Sequence, residues 1–145
     1  MSWILKNFEE LTNKELHDIY QLRVNIFIVE QNCPYPEIDG KDVNSLHLFK
    51  TEGEVIVAYS RLLPPGLSYE QPSIGRVIVN EKFRGQGLGN ELMSSAIKIV
   101  KEKWSGASIK IQAQSYLQSF YESLGFVQVT DEYLEDNIPH IDMLL

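Results

Sequence analysis

Residues 73 to 89, which read SIGRVIVNEKFRGQGLG, constrain the fold of this chain more than any other stretch. Their first part, residues 74 to 79, is a mostly apolar stretch with β-branched side chains, which predicts a buried strand. A short polar turn follows, and then three glycines at alternate positions: Gly85, Gly87 and Gly89. From Leu88 towards Trp104 apolar side chains recur at helical spacing. The stretch therefore predicts a strand, a glycine-rich turn and a helix.

This arrangement is a candidate binding site for a diphosphate. The first turn of a helix presents unpaired N–H groups and the positive end of the helix dipole. Glycine lacks a Cβ, so a phosphate can approach the backbone closely, and Lys82 and Arg84 add positive charge. The turn has neither the Gly-Lys-Ser/Thr ending of a P-loop nor the G-x-G-x-x-G spacing of dinucleotide-binding folds. The alternative is a tight turn whose glycines only permit close packing.

Two motifs carry a resemblance to a known family. Residues 84 to 89, RGQGLG, resemble the R/Q-x-x-G-x-G/A motif of the GNAT superfamily of N-acetyltransferases. Residues 120 to 126, FYESLGF, resemble the F/L-Y-x-x-x-G-F signature near the C-terminus of the same domain. The segments 27–35 and 138–141 resemble the ElaA-like branch of that superfamily in particular. The motifs stand in the family's order, and the resemblance spans nearly the whole chain.

Length and composition narrow the class of protein. The 145 residues suit one domain, 1–145, with a core of its own. Twenty acidic against 13 basic side chains give a net charge of −7, which argues against nucleic acid as a partner. No apolar run approaches the ~18 residues of a membrane span, and no secretory signal is visible, so we expect a cytoplasmic protein. Cys33 is the only cysteine, which excludes an internal disulfide and a multi-cysteine zinc site, and no metal is expected.

The remaining chain predicts an α+β fold. A capping box, Thr12 to Glu15, begins a helix whose apolar spacing continues to Phe27 and is interrupted by Arg23. Strands are predicted at residues 3–8, 46–51, 55–62, 109–113, 126–129 and 138–145, and a short helix at 116–124. Segments 32–44 and 131–137 are predicted to be loops. The order β-α-β-β-β-α-β-α-β-β indicates a mixed, mostly antiparallel sheet flanked by helices. The resemblance implies the same GNAT-like fold, with its fourth and fifth strands splayed around a cofactor.

The resemblance implies acetyl transfer from acetyl-coenzyme A, as co-substrate, to a primary amine on a small molecule or peptide. The diphosphate would bind the turn, formed by Arg84, Gly85, Gln86, Gly87, Leu88 and Gly89. The pantetheine arm would pair like an added strand with backbone groups of Val77, Ile78 and Val79, where one N–H would stabilise the oxyanion. Gln114, where many relatives have Asn, would bind the cofactor through its amide.

Acyl transfer to an amine needs a neutral amine and benefits from protonation of the departing thiolate. Tyr121 stands where the family often places that acid, and a phenol of pKa ~10 is protonated at neutral pH. His140 and Glu30 are the candidates for the base, and acids of the two loops could form a pocket for a cationic amine. A core role is the alternative for Tyr121, and a structural or solvated role for the other two. Direct transfer in a ternary complex is favoured over a covalent route through Cys33, which has no histidine nearby in sequence.

Two other functions remain open. A degenerate acetyltransferase would bind coenzyme A as a regulator without turnover. A nucleotide-binding interaction module would use the glycine turn for another phosphate ligand, although the lysine of a P-loop is missing. The sequence leaves the acceptor amine undefined, and the resemblance is compatible with a homodimer.

Overall fold

The computed structural model describes residues 3–105 and 108–145. Within these residues the strands are β1 (Ile4–Asn7), β2 (Leu46–Glu52), β3 (Val55–Leu63), β4 (Ser73–Val79), β5 (Lys110–Gln114), β6 (Val127–Gln128), β7 (Tyr133–Glu135) and β8 (Ile138–Leu144). The α-helices there are α1 (Asn13–Arg23), α2 (Leu88–Lys103) and α3 (Gln118–Glu122). A π-helical segment, Val24–Glu30, extends α1. Of the helices in these ranges, none combines the length and the apolar character needed to cross a membrane.

The strands form two antiparallel sheets that meet at one end. One sheet has the order β1-β2-β3-β4, and the other has the order β5-β8-β6, with β7 also paired to β8. The N–H of Lys110, where β5 begins, donates to the carbonyl of Pro72, directly before β4, at 3.0 Å. The two strands therefore touch where they begin but belong to different sheets. This confirms the predicted α+β fold with a splayed fourth and fifth strand.

Helix α2 is fixed by one fully buried face. It packs on β3 and β4 through side chains with no exposed surface: Leu92, Met93, Ala96 and Val100. Burying a large apolar side chain contributes roughly 1.5–3 kcal/mol relative to leaving it exposed. Because the face continues to the first turns of the helix, packing also sets where α2 begins, next to the end of β4.

Helix α1 begins at the predicted capping box. The side chain of Thr12 accepts from the N–H of Glu15 at 3.0 Å, and the Glu15 carboxylate accepts from the N–H of Thr12 at 2.9 Å. The reciprocal bonds satisfy two amides that a helix start would otherwise leave unpaired. The buried Ile19 then attaches the helix to the first sheet.

The acidic segment 131–137 is not wholly a loop, which corrects the prediction. Residues 133 to 135 form β7 and pair with β8 in antiparallel register. Asp136 and Asn137 turn the chain with φ angles of 51° and 63°. A tight hairpin turn requires two successive residues in the left-handed region. Apart from glycine, Asp and Asn tolerate this region best. The acidic composition obscured this turn signal.

Candidate active site

The glycine-rich turn leaves a set of backbone amides without partners. Gly85 and Gly87 have φ angles of 81° and 78°, which other residues adopt only with strain, and the space where a Cβ would stand is open. No side chain caps α2, and the first backbone bond of the helix joins the N–H of Glu91 to the carbonyl of Gly87 at 3.2 Å. Among residues 85 to 90, all of which the structure describes, no N–H donates to a backbone carbonyl. The turn therefore presents free donors at the positive end of a helix.

At two of the three positions predicted to bind pantetheine, the backbone of β4 is not hydrogen-bonded to β3. Asn80 donates its N–H to the carbonyl of Val57 at 2.9 Å, so the alternation of an antiparallel ladder turns the backbone of Ile78 towards β3 as well. This corrects the expectation for Ile78. The backbone of Val79 faces away from β3, and Val77 lies in a bulge of β4 outside the ladder.

Tyr121 is buried in α3, with only 7% of its surface exposed. Its ring packs edge-on against the rings of Phe120 and Phe126, with centroids 5.1 Å and 6.0 Å apart. Burial raises the pKa of Tyr121 to about 12, so the phenol is protonated at neutral pH. Apolar neighbours thus keep this hydroxyl in the form that can donate a proton.

Helix α3, the end of β4 and the start of α2 meet at Gly89. A Cβ at this position would lie 3.7 Å from the ring of Phe120 and 3.9 Å from a methyl group of Val79. Phe120 precedes Tyr121 directly. The glycine turn, the open edge of β4 and the helix that carries the candidate acid are therefore neighbours, although they are far apart in sequence.

Glu30 and Arg84, both predicted site residues, form an ion pair with each other. The two guanidinium nitrogens lie 2.8 Å and 3.0 Å from the two carboxylate oxygens. These hydrogen bonds from Arg84 lower the pKa of Glu30, because they favour its charged form. A carboxylate with a lowered pKa is a weaker base. The geometry therefore favours a role for Glu30 in binding Arg84 over a role in removing a proton from the amine.

His140 lies beside the end of β5. Its Nδ1 is 2.7 Å from the carbonyl of Ile138, which can only accept, so Nδ1 carries the donated hydrogen. In the neutral form of the ring, the lone pair then lies on Nε2. The ring stacks on Tyr133, and His140 is directly opposite Gln114 in the pairing of β5 with β8. The arrangement leaves His140 a nitrogen able to accept a proton.

The two predicted loops meet and form an open cleft of about 530 Å³. Its lining comes from residues after the π-helical segment and from the β7–β8 turn: Gln31, Asn32, Cys33, Pro34, Asp136, Asn137 and Ile138. The thiol of Cys33 is buried and donates to the carbonyl of Asp136 at 3.2 Å, which joins the two walls. Gln114 donates to the side chain of Gln31 at 3.4 Å, so β5 ends at this cleft.

Residues 34 to 44 are tied to α1 and to the first sheet by buried ion pairs whose partners the sequence did not identify. The buried Arg23 lies 2.6 Å from the Glu37 carboxylate and 2.7 Å from that of Asp42. Glu37 also binds Arg76, in the β4 bulge, at 2.8 Å. The carboxylate of Glu37 is thus bound by two arginines and is not free to bind an amine. The interruption of the helical face by Arg23 was the sequence signal that pointed to such a partner.

The same network includes Asp39 and Arg61, whose charged groups lie 2.8 Å apart. Burial alone would raise the pKa of Asp39, but the hydrogen bonds from Arg61 and from the N–H of Lys41 outweigh it and lower the pKa to about 2. Because the fold favours the ionised form, Asp39 stabilises the native state above its ordinary pKa of 3.8. This contribution is lost as the pH falls from about 4 to about 2.

We therefore expect Asp39→Asn to weaken the dependence of the free energy of unfolding on pH below about pH 4. The free energy of unfolding at pH 7 should fall by on the order of 1 kcal/mol, with a smaller difference from the unaltered protein at pH 3. Urea unfolding at pH 7, 5 and 3 measures this, and Asp131→Asn, at an exposed position, is the control. A constant difference between Asp39→Asn and the unaltered protein at all three pH values would contradict the expectation.

Comparison with known proteins identifies the family. The family model described as "Acetyltransferase (GNAT) domain" matches residues 16–145. The protein ElaA of Escherichia coli is 41% identical over 145 residues, which cover 99% of this chain and 95% of that protein. The crystal structure of E. coli ElaA superimposes with a TM-score of 0.93, covering 99% of this chain and 97% of that one, at 40% identity. A crystal structure of an acyl-CoA N-acyltransferase from Pseudomonas aeruginosa does so with a TM-score of 0.94 at 43% identity, again covering 99% and 97%. The predicted resemblance is thus confirmed, and the chain belongs to the GNAT family of acyltransferases, among relatives of ElaA.

Proposed function

We propose that this protein transfers an acetyl group from acetyl-coenzyme A directly to a primary amine of a small molecule or peptide. The observation that carries the proposal is the meeting at Gly89 of the unpaired amides of the turn, the open edge of β4 and the helix of Tyr121. In this proposal a diphosphate site, a strand edge for an extended amide-bearing arm and a proton donor share one opening of the fold.

In this proposal the backbone of the turn, residues 84 to 89, holds the diphosphate. Val79 and Val77 pair with the pantetheine amides, and an N–H at the bulge stabilises the negative charge that develops on the thioester oxygen. The cleft lined by Gln31 and Asp136 is assigned to the amine and is called the acceptor cleft. Gln114 lies where β5 meets this cleft and orients the reacting end of the arm.

Proton transfer is assigned to two side chains. The amine nitrogen bonds to the acyl carbon while the carbon–sulfur bond breaks, and Tyr121 donates its phenolic proton to the departing thiolate. His140 accepts at Nε2 the proton that the amine loses, directly or through water. Glu30 is assigned to Arg84, and the buried Cys33 to the walls of the cleft, so the acyl group passes to the amine without a covalent enzyme intermediate.

Ligand-dependent melting tests the cofactor site. At a concentration about 100 times its Kd, a ligand that binds only the native state adds about 2.7 kcal/mol of stability. For a domain of this size we expect coenzyme A to raise Tm by roughly 5–10 °C, and ATP or NAD to raise it by much less. Equal shifts with all three ligands would instead support a general nucleotide-binding module.

Release of thiol from acetyl-coenzyme A over a panel of polyamines, amino sugars and peptides tests turnover. We expect at least one amine class to accelerate thiol release above the rate of hydrolysis. Binding of coenzyme A without accelerated release by any class would support a regulator that has lost catalysis.

A further inference from the structure

We propose that Glu30 holds Arg84 over the cofactor site in the unliganded protein and releases it when the diphosphate of coenzyme A binds. The inference rests on the proposed function, because it needs the turn to be the diphosphate site. The pair joins the end of the π-helical segment to the turn by two short parallel hydrogen bonds, of 2.8 Å and 3.0 Å. Glu30 and Arg84 remain 38% and 46% exposed, so a ligand can reach them from solvent.

The position of Arg84 blocks part of the proposed cofactor path. Its Nε donates to the carbonyl of Val79 at 3.2 Å. Val79 is a residue whose backbone faces the opening between the sheets, so this carbonyl is one that a pantetheine amide would use. The arginine held by Glu30 therefore donates to an acceptor that the cofactor also needs, and the guanidinium competes with a pantetheine amide for this carbonyl.

The exchange of partners is favourable on charge and geometry. A guanidinium binds phosphate with the same bidentate fork that it offers a carboxylate, and it cannot present the same two N–H groups to both. A diphosphate also gains the unpaired amides of residues 85 to 90, whereas the carboxylate of Glu30 accepts from the guanidinium of Arg84. An exposed ion pair contributes only ~0.2–1 kcal/mol, so the pair opposes ligand binding weakly and is reversible.

The affinity for coenzyme A tests this role of Glu30. Removing the competing carboxylate by Glu30→Gln should tighten binding, with Kd lowered about two- to fivefold in isothermal titration calorimetry. The matched control is Asp18→Asn, which removes the same charge from an exposed ion pair, Lys14 with Asp18 at 2.8 Å, on α1. We expect the control to change Kd by less than about 1.5-fold, because that pair does not touch the turn.

A double-mutant cycle separates competition from general repulsion of the ligand by a negative charge. In an Arg84→Gln background, Glu30→Gln should leave Kd unchanged, because the carboxylate no longer holds a guanidinium. Equal tightening in both backgrounds, or weaker binding by the single variant, overturns the inference. Weaker binding would mean that Glu30 instead prepares Arg84 for the diphosphate. A failure of the unaltered protein to bind coenzyme A contradicts the proposed function and this inference together, whereas normal binding without tightening contradicts the inference alone.

Discussion

Replacing Tyr121 by phenylalanine is expected to lower kcat by about 100-fold or more while Kd for coenzyme A stays within about twofold. The variant keeps the aromatic ring that packs against Phe120 and Phe126, and it loses only the hydroxyl. Since burial raises the pKa of that hydroxyl to about 12, it is in donor form throughout the range in which an amine acceptor reacts. Without it, the thiolate must leave unprotonated or take its proton from water.

Steady-state thiol release and calorimetric titration with coenzyme A measure the two quantities. Tyr116→Phe is the matched control, because Tyr116 is 76% exposed and lies five residues before Tyr121. The control should retain kcat within about twofold, since its hydroxyl faces solvent. An unchanged kcat in Tyr121→Phe would remove the acid role, and a large loss of coenzyme A affinity would assign Tyr121 to binding instead.

Replacing Arg23 by methionine is expected to lower the free energy of unfolding by about 3–5 kcal/mol, the range found when one partner of a buried ion pair is removed. Methionine retains the apolar stem but not the guanidinium, so the carboxylates of Glu37 and Asp42 lose their shortest charged contacts. These carboxylates are almost fully buried and cannot recover the lost hydrogen bonds from water.

Urea denaturation followed by circular dichroism measures this loss. The control is Lys14→Met, which breaks the exposed pair with Asp18 and should cost less than about 0.5 kcal/mol. A loss below about 1 kcal/mol for Arg23→Met would show that the remaining arginines compensate for the missing charge. In that case Arg61 and Arg76 would be the groups that hold the segment in place.

The sequence was sufficient for features whose signal is local. Three features depend only on residues close together in the sequence, so spacing alone predicts them: the glycine turn, the capping box at Thr12 and the apolar face of α2. The partners of Arg23 lie 14 and 19 residues further along the chain, and only the folded structure shows which acids they are. The same holds for the pair between residues 30 and 84, because two residues assigned to different roles turned out to be in contact.

The backbone of Ile78 illustrates a second limit. A run of apolar residues predicts a strand, but it does not tell which backbone groups a neighbouring strand will take. That depends on the register of β4 against β3, which the bulge at Arg76 shifts. The family resemblance assigns three residues to the cofactor. Which of their backbone groups are free depends on the hydrogen-bond pairing of β4 with β3.

The bulge of β4 and the segment around Glu37 are joined through Arg76, so the strand proposed to align the thioester is fixed to the chain that follows one wall of the cleft. The opposite side, the turn at Asp136 and Asn137, is attached to Cys33 by one hydrogen bond from the thiol and otherwise reaches into solvent. Divergence in amine preference among related enzymes should accordingly accumulate in that hairpin, where the identity of a side chain can change without disturbing the alignment of the acyl donor.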